Sequence, residues 1–454
     1  MKKKNSFSER VENRTLNVGV VGLGYVGLPT SISFFEQGFT VYGIDIDKSV
    51  ISKLRGGENP INDPWFDKNT PDIRSDRWNV TNSFSEVIPI CDVVIVTVPT
   101  PVSESKQLDD SKVLEAGREV FRHITRDSGT IVVLESTVYP GLTSKIWAPI
   151  IQENELTIGV DVHLAYCPER HNPGDLDNHL ANTSRIIGSD NETIGQNLVT
   201  LYSTISSGEV HFVGAMEIAE SAKLIENVQR DINIALVNEL SMILPKLEVD
   251  IEDVLDAAST KWNFHRYTPG IGVGGHCIPV DPYFLIDQAS EKNSVLNLIS
   301  SARAINDNMP KYVSEQILLI LQKHRLSIKD SKILILGWAY KPGIGDTRGS
   351  PSRELAEILV SLGADVSAWD PKVPEFEFSE IVNFVTDIGD VDGNDVVIVA
   401  TAHQEVIDLN WLDLSTRMRN KIIFDGRRCI DLRKMSHLGW STYAIGAPFE
   451  ETSQ

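Results

Sequence analysis

The chain has 454 residues, of which 41% are hydrophobic, so it is long enough for two or three domains with ordinary globular cores. Its formal net charge of −21 disfavours nucleic acid and anionic lipid as partners. Four cysteines without paired spacing exclude a disulfide framework and a zinc site, and no apolar segment approaches the roughly 18 residues that a membrane span needs. We therefore expect a cytoplasmic protein that uses no metal, and the N-terminal segment lacks the apolar region of a signal peptide.

The first part of the chain carries a dinucleotide-binding pattern. A buried strand over residues 16–21 leads into a helix that ends near Phe35, and between them lies the motif Gly22-Leu23-Gly24-Tyr25-Val26-Gly27. In such a unit the first glycine makes the turn, the second admits a pyrophosphate to the helix N-terminus, and the third lets helix and strand pack closely. A second strand, 40–44, ends at Asp45, whose carboxylate would bond the adenosine ribose and repel a 2′-phosphate. This favours NAD over NADP.

Two further strands, 92–98 and 130–134, are near-continuous apolar runs, as is typical of parallel strands covered on both faces. Ligands of such sheets bind beyond the carboxyl ends of the strands. There Thr100 and Thr137 are candidate cofactor contacts, although turn and capping roles fit these residues equally well. The unit is predicted to continue through a strand at 163–166 into a polar loop that contains Glu169 and Arg170.

A long helix is predicted over residues 217–247. Its second half is apolar on nearly every side, which predicts burial on several faces and favours dimerisation. A polar stripe at i, i+4 and i+7 is expected to line an internal cleft, and it consists of Lys223, Asn227 and Arg230. Further on, residues 306–308 and Pro310 are predicted to interrupt a helical region, with a helix over 311–321 leading out of the middle of the chain.

The segment 269–282 combines four glycines in six residues with a cysteine. Glycine allows φ > 0 and a close approach of the backbone to a ligand. Cys277 ends this run and Asp281 follows four residues later, so a locally stabilised thiolate could act as a covalent nucleophile. The alternative for such a loop is a buried structural cysteine.

A second α/β pattern begins with a strand at 332–337, continues through a loop over 338–351 and a helix over 352–362, and adds strands at 365–369, 395–400 and 421–424. The loop lacks G-x-G-x-x-G and instead carries Lys341 and Arg348, which suit a pyrophosphate. Two nucleotide sites, one glycine-based and one basic, imply two different nucleotides.

The motifs occur in the order G-x-G-Y-V-G, V-P-T-P (98–101), S-T-V-x-P-G (136–141), P-E (168–169), K-x-x-x-N (223–227), G-G-x-C-x-x-x-D (274–281) and G-D-T-R (345–348). With these motifs the chain resembles the UDP-glucose/GDP-mannose dehydrogenase family over nearly its whole length. The resemblance implies an α/β protein and a homodimer or higher homo-oligomer. Its domains would be an N-terminal NAD-binding Rossmann domain (1–208), a central helical dimerisation domain (209–325) and a C-terminal Rossmann-like UDP-binding domain (326–454).

Details of the motifs favour the family branch that acts on 2-acetamido-hexoses, namely P-E-R at 168–170, G-V-G-G-H-C-I at 272–278, and Arg230. UDP-glucose enzymes usually have an aromatic residue after P-E and a lysine before the last acid of the cysteine motif, where this chain has Arg170 and Val280. The expected substrate is UDP-N-acetylglucosamine or UDP-N-acetylmannosamine. The epimer stays open because His265 and Arg266 are adjacent, unlike the His-x-Arg pair of the mannosamine enzymes.

The resemblance also implies a four-electron oxidation of the C6 alcohol with two NAD, in which a cysteine captures the aldehyde and a thioester is hydrolysed. The catalytic residues that it implies are Cys277, Lys223, Asn227, Asp281 and Glu169. The implied cofactor contacts are Gly22, Gly24, Tyr25, Val26, Gly27, Asp45, Thr100, Thr137 and Arg348. The implied substrate contacts are Arg170, His171, Lys223, Asn227, Arg230, His265, Arg266, Gly274, Tyr340 and Lys341.

Three other functions remain open on the sequence. A UDP-glucose 6-dehydrogenase would use the same residues on a different sugar. A one-step hydroxyacid dehydrogenase would need neither Cys277 nor the second nucleotide loop, and would form one NADH per substrate instead of two. A nucleotide-sugar sensor would bind without forming NADH.

Overall fold

The computed structural model describes residues 6–61, 75–102, 109–170, 183–378 and 380–449. The chain divides into two compact units, each built on its own sheet. The first unit comprises Met1–Glu226 and Tyr283–Gln288, and the second comprises Asn227–Pro282 and Ala289–Gln454. Among the described residues, no helix combines the length and the apolar character that crossing a bilayer requires.

The first unit contains an eight-stranded sheet in the order β3-β2-β1-β4-β5-β6-β7-β8. Neighbouring strands are parallel except β6 and β7, which are antiparallel. The strands are β1 Asn17–Val21, β2 Thr40–Ile44, β3 Trp78–Thr81, β4 Val93–Val96, β5 Thr130–Leu134, β6 Val162–Tyr166, β7 Arg185–Ser189 and β8 Val210–Gly214. The first six have the strand order of a Rossmann fold, as the glycine motif predicted.

Helices cover both faces of this sheet, which explains why β4 and β5 consist entirely of buried residues. The helices are α1 Phe7–Glu12, α2 Gly27–Glu36, α3 Lys48–Gly56, α4 Phe84–Val87, α5 Ser111–His123, α6 Leu142–Glu153 and α7 Glu192–Tyr202. Strand β8 pairs with β7 and lies past residue 208, where the sequence placed the end of this domain. The sheet therefore extends beyond that predicted boundary.

Four helices follow the first sheet, namely α8 Met216–Ile243, α9 Ile251–Ser259, α10 Asp281–Glu291 and α11 Asn297–Lys323. The long predicted helix is present as α8, but its second half is not buried on every side. Leu236 is 52% exposed and Ile243 is 45% exposed. Burial on several faces is confirmed, since Ala235, Val237 and Ser241 are buried, whereas one apolar stripe of α8 is left exposed by the residues that the structure describes.

The predicted break before residue 311 was wrong. Helix α11 runs through Pro310 without interruption. Pro310 removes one backbone donor, yet it is buried and lies against the glycine loop, where a Cβ on Gly272 would be 3.4 Å from its Cδ. Asn306 does not end the helix either, because its amide donates to the carboxylate of Asp231 on α8 over 2.8 Å. Tertiary packing thus outweighs the local preference against helix.

The second unit contains a six-stranded parallel sheet in the order β11-β10-β9-β12-β13-β14. Its strands are β9 Lys332–Leu336, β10 Asp365–Trp369, β11 Asn383–Phe384, β12 Val396–Val399, β13 Ile422–Asp425 and β14 Ser441–Ala444. Its helices are α12 Pro351–Ser361, α13 Gln404–Ile407, α14 Trp411–Arg417 and α15 Leu432–His437. The predicted strands and the helix after the basic loop are all present, with ends that differ by at most one residue.

Candidate functional site

The glycine motif of the first unit forms the turn that the sequence predicted. Gly22 has φ +93°, which an L side chain rarely adopts. A Cβ on Gly27 would overlap the carbonyl oxygen of Gly22 and the hydroxyl of Thr97, so this position closes the helix onto the strand. A Cβ on Gly24 would meet nothing within 4 Å. The space beside Gly24 therefore suits a ligand phosphate at the start of α2.

The acid at the end of β2 keeps capacity for a ligand. Asp45 accepts the backbone N–H of Leu23 on Oδ2 over 2.7 Å and that of Asp47 on Oδ1 over 2.8 Å. A carboxylate has about four lone-pair sites, so two hydrogen bonds leave room for two ribose hydroxyls. The other predicted cofactor contacts also lie in this unit: Tyr25, 39% exposed, and Val26 precede α2, and the Thr100 hydroxyl donates to the carbonyl oxygen of Thr137 over 2.8 Å. These residues fit NAD.

The corresponding acid of the second sheet is in a different state. Asp370 follows β10, and its Oδ2 accepts the backbone N–H groups of Trp338 and Ala339 over 2.6 and 2.9 Å. The same oxygen lies 3.1 Å from Nε2 of the fully buried His403, whose Nδ1 accepts the N–H of Gly343. The Oδ1 atom accepts the N–H groups of Lys372 and Val373. Burial raises the pKa of Asp370, but these hydrogen bonds outweigh burial and hold it below its usual value.

Within the second unit, the cysteine loop packs against the basic loop 338–351. The N–H of Gly275 donates to the carbonyl oxygen of Arg348 over 2.9 Å. A Cβ on Gly274 would lie 2.6 Å from Cβ of Tyr340 and 2.7 Å from the carbonyl oxygen of Gly349, so only glycine fits. Burial, assisted by Asp346 and Cys277, raises the pKa of Tyr340 to about 12. The phenol is therefore a neutral hydrogen-bonding group beside the thiol.

The end of the cysteine loop begins helix α10. The carbonyl oxygen of Cys277 accepts the N–H groups of Val280 and Asp281 over 3.0 and 2.8 Å, which holds the backbone of Cys277 one turn before the helix. Asp281 is 2% exposed, and its Oδ2 accepts the amide of Asn227 over 2.5 Å. The structure therefore joins two of the predicted catalytic residues directly. On the same helix as Asn227, Lys223 is 9% exposed, whereas Arg230 is exposed.

Several predicted arginines already hold a carboxylate. Arg170 pairs with Glu226, with Nε 3.0 Å and Nη2 2.7 Å from its oxygens. Arg348 makes four hydrogen bonds to Asp346. Arg266 pairs with Glu252 and Asp256 on α9, and the neighbouring His265 is exposed. A ligand phosphate at any of these arginines would have to share or replace a carboxylate. Lys341 is half-buried in the basic loop, and His171 lies outside the described residues.

Sequence reasoning missed a buried charge cluster around Glu169 in the first unit. The guanidinium of Arg185, at the start of β7, lies 3.7 Å from Glu169 and 3.8 Å from Glu135. Glu135 also accepts the hydroxyl of Tyr202 over 2.7 Å. A sequence signal existed, because Arg185 opens a strand of otherwise uncharged residues and Glu135 ends an apolar one. The prediction used only the hydroxyl residues that follow Glu135.

Comparisons with known proteins agree with this architecture. Models of the NAD binding, central and UDP binding domains of the UDP-glucose/GDP-mannose dehydrogenase family match residues 16–206, 217–308 and 334–432. The chain is 35% identical over 414 residues to the UDP-N-acetyl-D-glucosamine 6-dehydrogenase of Salmonella typhi, covering 90% of this chain and 95% of that protein. It is 36% identical over 417 residues to the UDP-N-acetyl-D-mannosamine dehydrogenase of Pyrococcus horikoshii, covering 91% and 96%.

Solved structures give the same result. The UDP-D-ManNAc dehydrogenase from Pyrococcus horikoshii superposes with a TM-score of 0.86 at 35% identity, covering 95% of this chain and 99% of that chain. A UDP-glucose dehydrogenase from Pyrobaculum islandicum gives a TM-score of 0.84 at 27% identity, with coverage of 95% and 98%. The family predicted from the motif order is confirmed: the chain belongs to the UDP-glucose/GDP-mannose dehydrogenase family, whose members are NAD-dependent nucleotide-sugar dehydrogenases.

Proposed function

We propose that this chain oxidises the C6 hydroxyl of a UDP-2-acetamido-hexose, UDP-N-acetylglucosamine or UDP-N-acetylmannosamine, to the uronic acid. The observation that carries the proposal is the packing of the Cys277 loop on the basic loop 338–351 within one unit, with Asp281 bonded to Asn227 at the end of the same loop. The names of the two relatives described above support the acetamido sugars. The P-E-R and G-V-G-G-H-C-I segments support the same branch.

In this mechanism Cys277 adds through its sulfur to the C6 aldehyde and holds it as a thiohemiacetal, so the aldehyde does not escape between the two oxidations. Oxidation of that adduct gives a thioester, which water hydrolyses to the carboxylate and the free thiol. NAD, when bound at the glycine motif, accepts the hydride in each oxidation. The thiohemiacetal carries a hydroxyl group at C6, as the substrate does. The same side chains can therefore act in both oxidations.

The remaining residues stabilise charge and move protons. Lys223 and the amide of Asn227 would stabilise the oxyanion that develops at C6. Asp281 would activate the thiol or water, and Glu169 is the other candidate general base. Arg170, His171, Arg230, Gly274, Tyr340 and Lys341 would hold the UDP-sugar, with His265 and Arg266 as further contacts, and Arg348 would contact NAD.

The proposal includes a homodimer or larger homo-oligomer. The exposed apolar side chains of α8 are Ile218, Ile225, Leu236 and Ile243, between 45% and 57% exposed. At about 3.6 residues per turn their spacing puts all four on one face of the helix. A second copy of the chain would cover this stripe. We further propose a cytoplasmic location, since the mechanism needs Cys277 as a reduced thiol.

The test is NADH formation over a panel of UDP-sugars. An acetamido-hexose substrate with two NADH per UDP-sugar is expected, and Cys277→Ser should abolish the reaction. Cys429→Ser is a matched control, because Cys429 is the other half-buried cysteine of the second unit, and this variant should keep wild-type turnover. Undiminished turnover in Cys277→Ser would remove the covalent step, and one NADH per substrate would point to a one-step dehydrogenase.

UDP-glucose is the second candidate substrate. The structural likeness to the UDP-glucose dehydrogenase from Pyrobaculum islandicum favours including it in the panel. A kcat/KM for UDP-glucose above that for both acetamido sugars would decide for this alternative.

A further inference from the structure

His403 follows β12, and its fully buried side chain joins the acid after β10 to the basic loop. Its Nδ1 accepts the backbone N–H of Gly343 over 3.1 Å, and its Nε2 lies 3.1 Å from Oδ2 of Asp370. Because a backbone N–H only donates, Nδ1 is the unprotonated nitrogen, and the ring proton lies on Nε2 and faces the carboxylate. Burying an imidazole and a carboxylate costs desolvation that apolar side chains would avoid. The fold keeps this pair nevertheless, and what the pair holds is the basic loop.

The basic loop changes from buried to exposed within a few residues. Trp338 and Ala339 are 1% and 0% exposed, whereas Pro342 and Gly343 are exposed. Gly343 has φ +83°, and a Cβ at this position would meet nothing within 4 Å. Side-chain packing therefore does not fix the chain at Gly343. The bond to His403 instead ties this exposed part of the loop to the buried interior of the unit.

Two of the proposed substrate contacts, Tyr340 and Lys341, lie between points where the loop backbone is held. Before them, the N–H of Ala339 donates to the carboxylate after β10 over 2.9 Å, and its carbonyl oxygen accepts the hydroxyl of Thr401. After them comes the bond of Gly343 to the imidazole. A segment that is held on both sides has few conformations left, so binding a ligand costs less conformational entropy. The loop is thus ordered before the nucleotide arrives.

We propose that His403 is a positioning residue of the UDP site, which orders the basic loop for the nucleotide through the N–H of Gly343. The proposal rests on the proposed contacts of Tyr340 and Lys341 with the UDP-sugar. His403 needs no contact with the ligand, because its buried ring acts through the loop backbone. The part of the substrate concerned is the diphosphate, since the lysine of this loop suits a phosphate group.

The test is calorimetric titration of the full-length protein with UDP. His403→Asn puts a side-chain oxygen near the place of Nδ1, so it keeps an acceptor for Gly343 and loses the donor to Asp370. His403→Gln puts an amide N–H near the place of Nε2, so it keeps the donor and loses the acceptor. We expect the Kd for UDP to be higher in His403→Gln than in His403→Asn by roughly fivefold or more. A merely structural role for the ring predicts equal Kd values in the two variants, and that result would overturn the proposal.

His324→Gln is the matched control, because His324 is a half-buried histidine of the same unit that bonds to the hydroxyl of Tyr443. It should leave the Kd for UDP at the wild-type value. In NADH formation, His403→Gln should raise KM for the UDP-sugar and leave KM for NAD unchanged, since NAD binds at the glycine motif of the first unit. An equal rise of both KM values would report a general loss of structure and would contradict the proposal.

Hydrogen exchange of the wild type tests the same idea without any substitution. In the protein without UDP, the amide of Gly343 should exchange more slowly than in an unstructured peptide, by roughly tenfold or more. Exchange at the rate of a peptide would show that the free loop is not held, and the proposal would fall.

The binding measurement also separates this proposal from the proposed function, because UDP binding requires neither a particular sugar nor any oxidation. If the wild type binds UDP and both His403 variants bind it with the same Kd, this inference alone is refuted. If the wild type does not bind UDP, the proposed UDP contacts of the basic loop are refuted, and the role of His403 with them.

Discussion

Asp281 and Asn227 form the contact through which the cysteine loop meets helix α8. The carboxylate is 2% exposed, and the amide of Asn227 donates to it over 2.5 Å. When a buried carboxylate loses a hydrogen-bond donor, its desolvation is no longer compensated, which destabilises the fold by about 1–3 kcal/mol. The pair therefore supports the loop geometry as well as the charge distribution near Cys277.

We expect Asn227→Ala to lower the free energy of unfolding by about 1–3 kcal/mol and to lower kcat more than it raises KM for the UDP-sugar. The stability is measured by urea unfolding and the kinetics by NADH formation. Asn233→Ala on the same helix is the control, because Asn233 donates to a carbonyl oxygen of its own helix, that of Gln229. Equal effects of the two substitutions on kcat would contradict the role of Asn227.

Asp45 is the residue that should decide between the two nicotinamide cofactors. Its two backbone hydrogen bonds leave lone pairs for the ribose hydroxyls, and its charge repels a 2′-phosphate. In Asp45→Asn the repulsion is gone and one of the acceptor oxygens is replaced. We expect the ratio of kcat/KM for NAD to that for NADP to fall by about tenfold or more, in line with one lost charged hydrogen bond. An unchanged ratio would mean that Asp45 does not face the ribose.

For individual site residues, the sequence was informative where spacing defines a motif, and uninformative about contacts between segments that are distant in the chain. The glycine turn, Asp45 and the cysteine loop follow from local patterns. The bond from Asn227 to Asp281 and the ion pairs of Glu135, Arg185 and Glu169 join residues that are far apart in the chain. No periodicity reports such contacts, so Arg185 could not be placed before the sheet order was known.

The glycine turn at α2 offers a matched pair of substitutions at the level of one element. A Cβ on Gly27 would overlap backbone and side-chain atoms of the turn, whereas a Cβ on Gly24 meets nothing within 4 Å. We expect Gly27→Ala to lower the free energy of unfolding by about 1–3 kcal/mol in the absence of NAD. Gly24→Ala should leave that stability unchanged and raise KM for NAD, because the methyl group takes the space of the phosphate. Thermal unfolding measures the stability, and NADH formation measures KM. If Gly24→Ala lowered the stability and left KM for NAD unchanged, the ligand would lie elsewhere.

Helices α8 and α11 show what local patterns leave out. The existence of both helical regions was predictable from hydrophobic periodicity, but the continuity of α11 through Pro310 was not. The polar residues that suggested a break are bonded to α8, as the contacts of Asn306 with Asp231 and Asn238 show. The sequence does not distinguish an asparagine that bonds to a neighbouring helix from one that ends its own helix. Only the tertiary structure separates the two cases.

For the whole molecule, the apolar stripe of α8 predicts association. We expect the double substitution Leu236→Lys and Ile243→Lys to convert the proposed oligomer into monomers, because burying two ammonium groups in an apolar contact is unfavourable. Light scattering coupled to gel filtration measures the mass. Glu153→Lys, at an exposed position of helix α6 and with the same change in charge, is the control and should keep the oligomer. A monomeric wild-type chain would remove the need for a partner on this face.

The stability of the protein should also depend on pH through Glu135. Burial raises the pKa of this group from 4.5 to about 7, so the folded state holds the proton more tightly than the unfolded state. Its contribution to stability is complete below about pH 4.5 and is lost as the pH rises through about 7. Relative to Glu135→Gln, the wild type should therefore lose up to about 3 kcal/mol between about pH 5 and about pH 8. Parallel unfolding midpoints of the two proteins over this range would contradict the assignment.

The acid that follows β2 can accept hydrogen bonds from a ribose, whereas the acid that follows β10 cannot. This difference should keep the two nucleotides at separate sites. Five donors already occupy Asp370, including the ring of His403, so no lone pair is left for a ribose. Even in large excess, NAD would therefore bind through a ribose at Asp45 and not at Asp370. NAD at high concentration should therefore not occupy the UDP-binding site. Raising the NAD concentration should saturate the enzyme without competitive inhibition against the UDP-sugar.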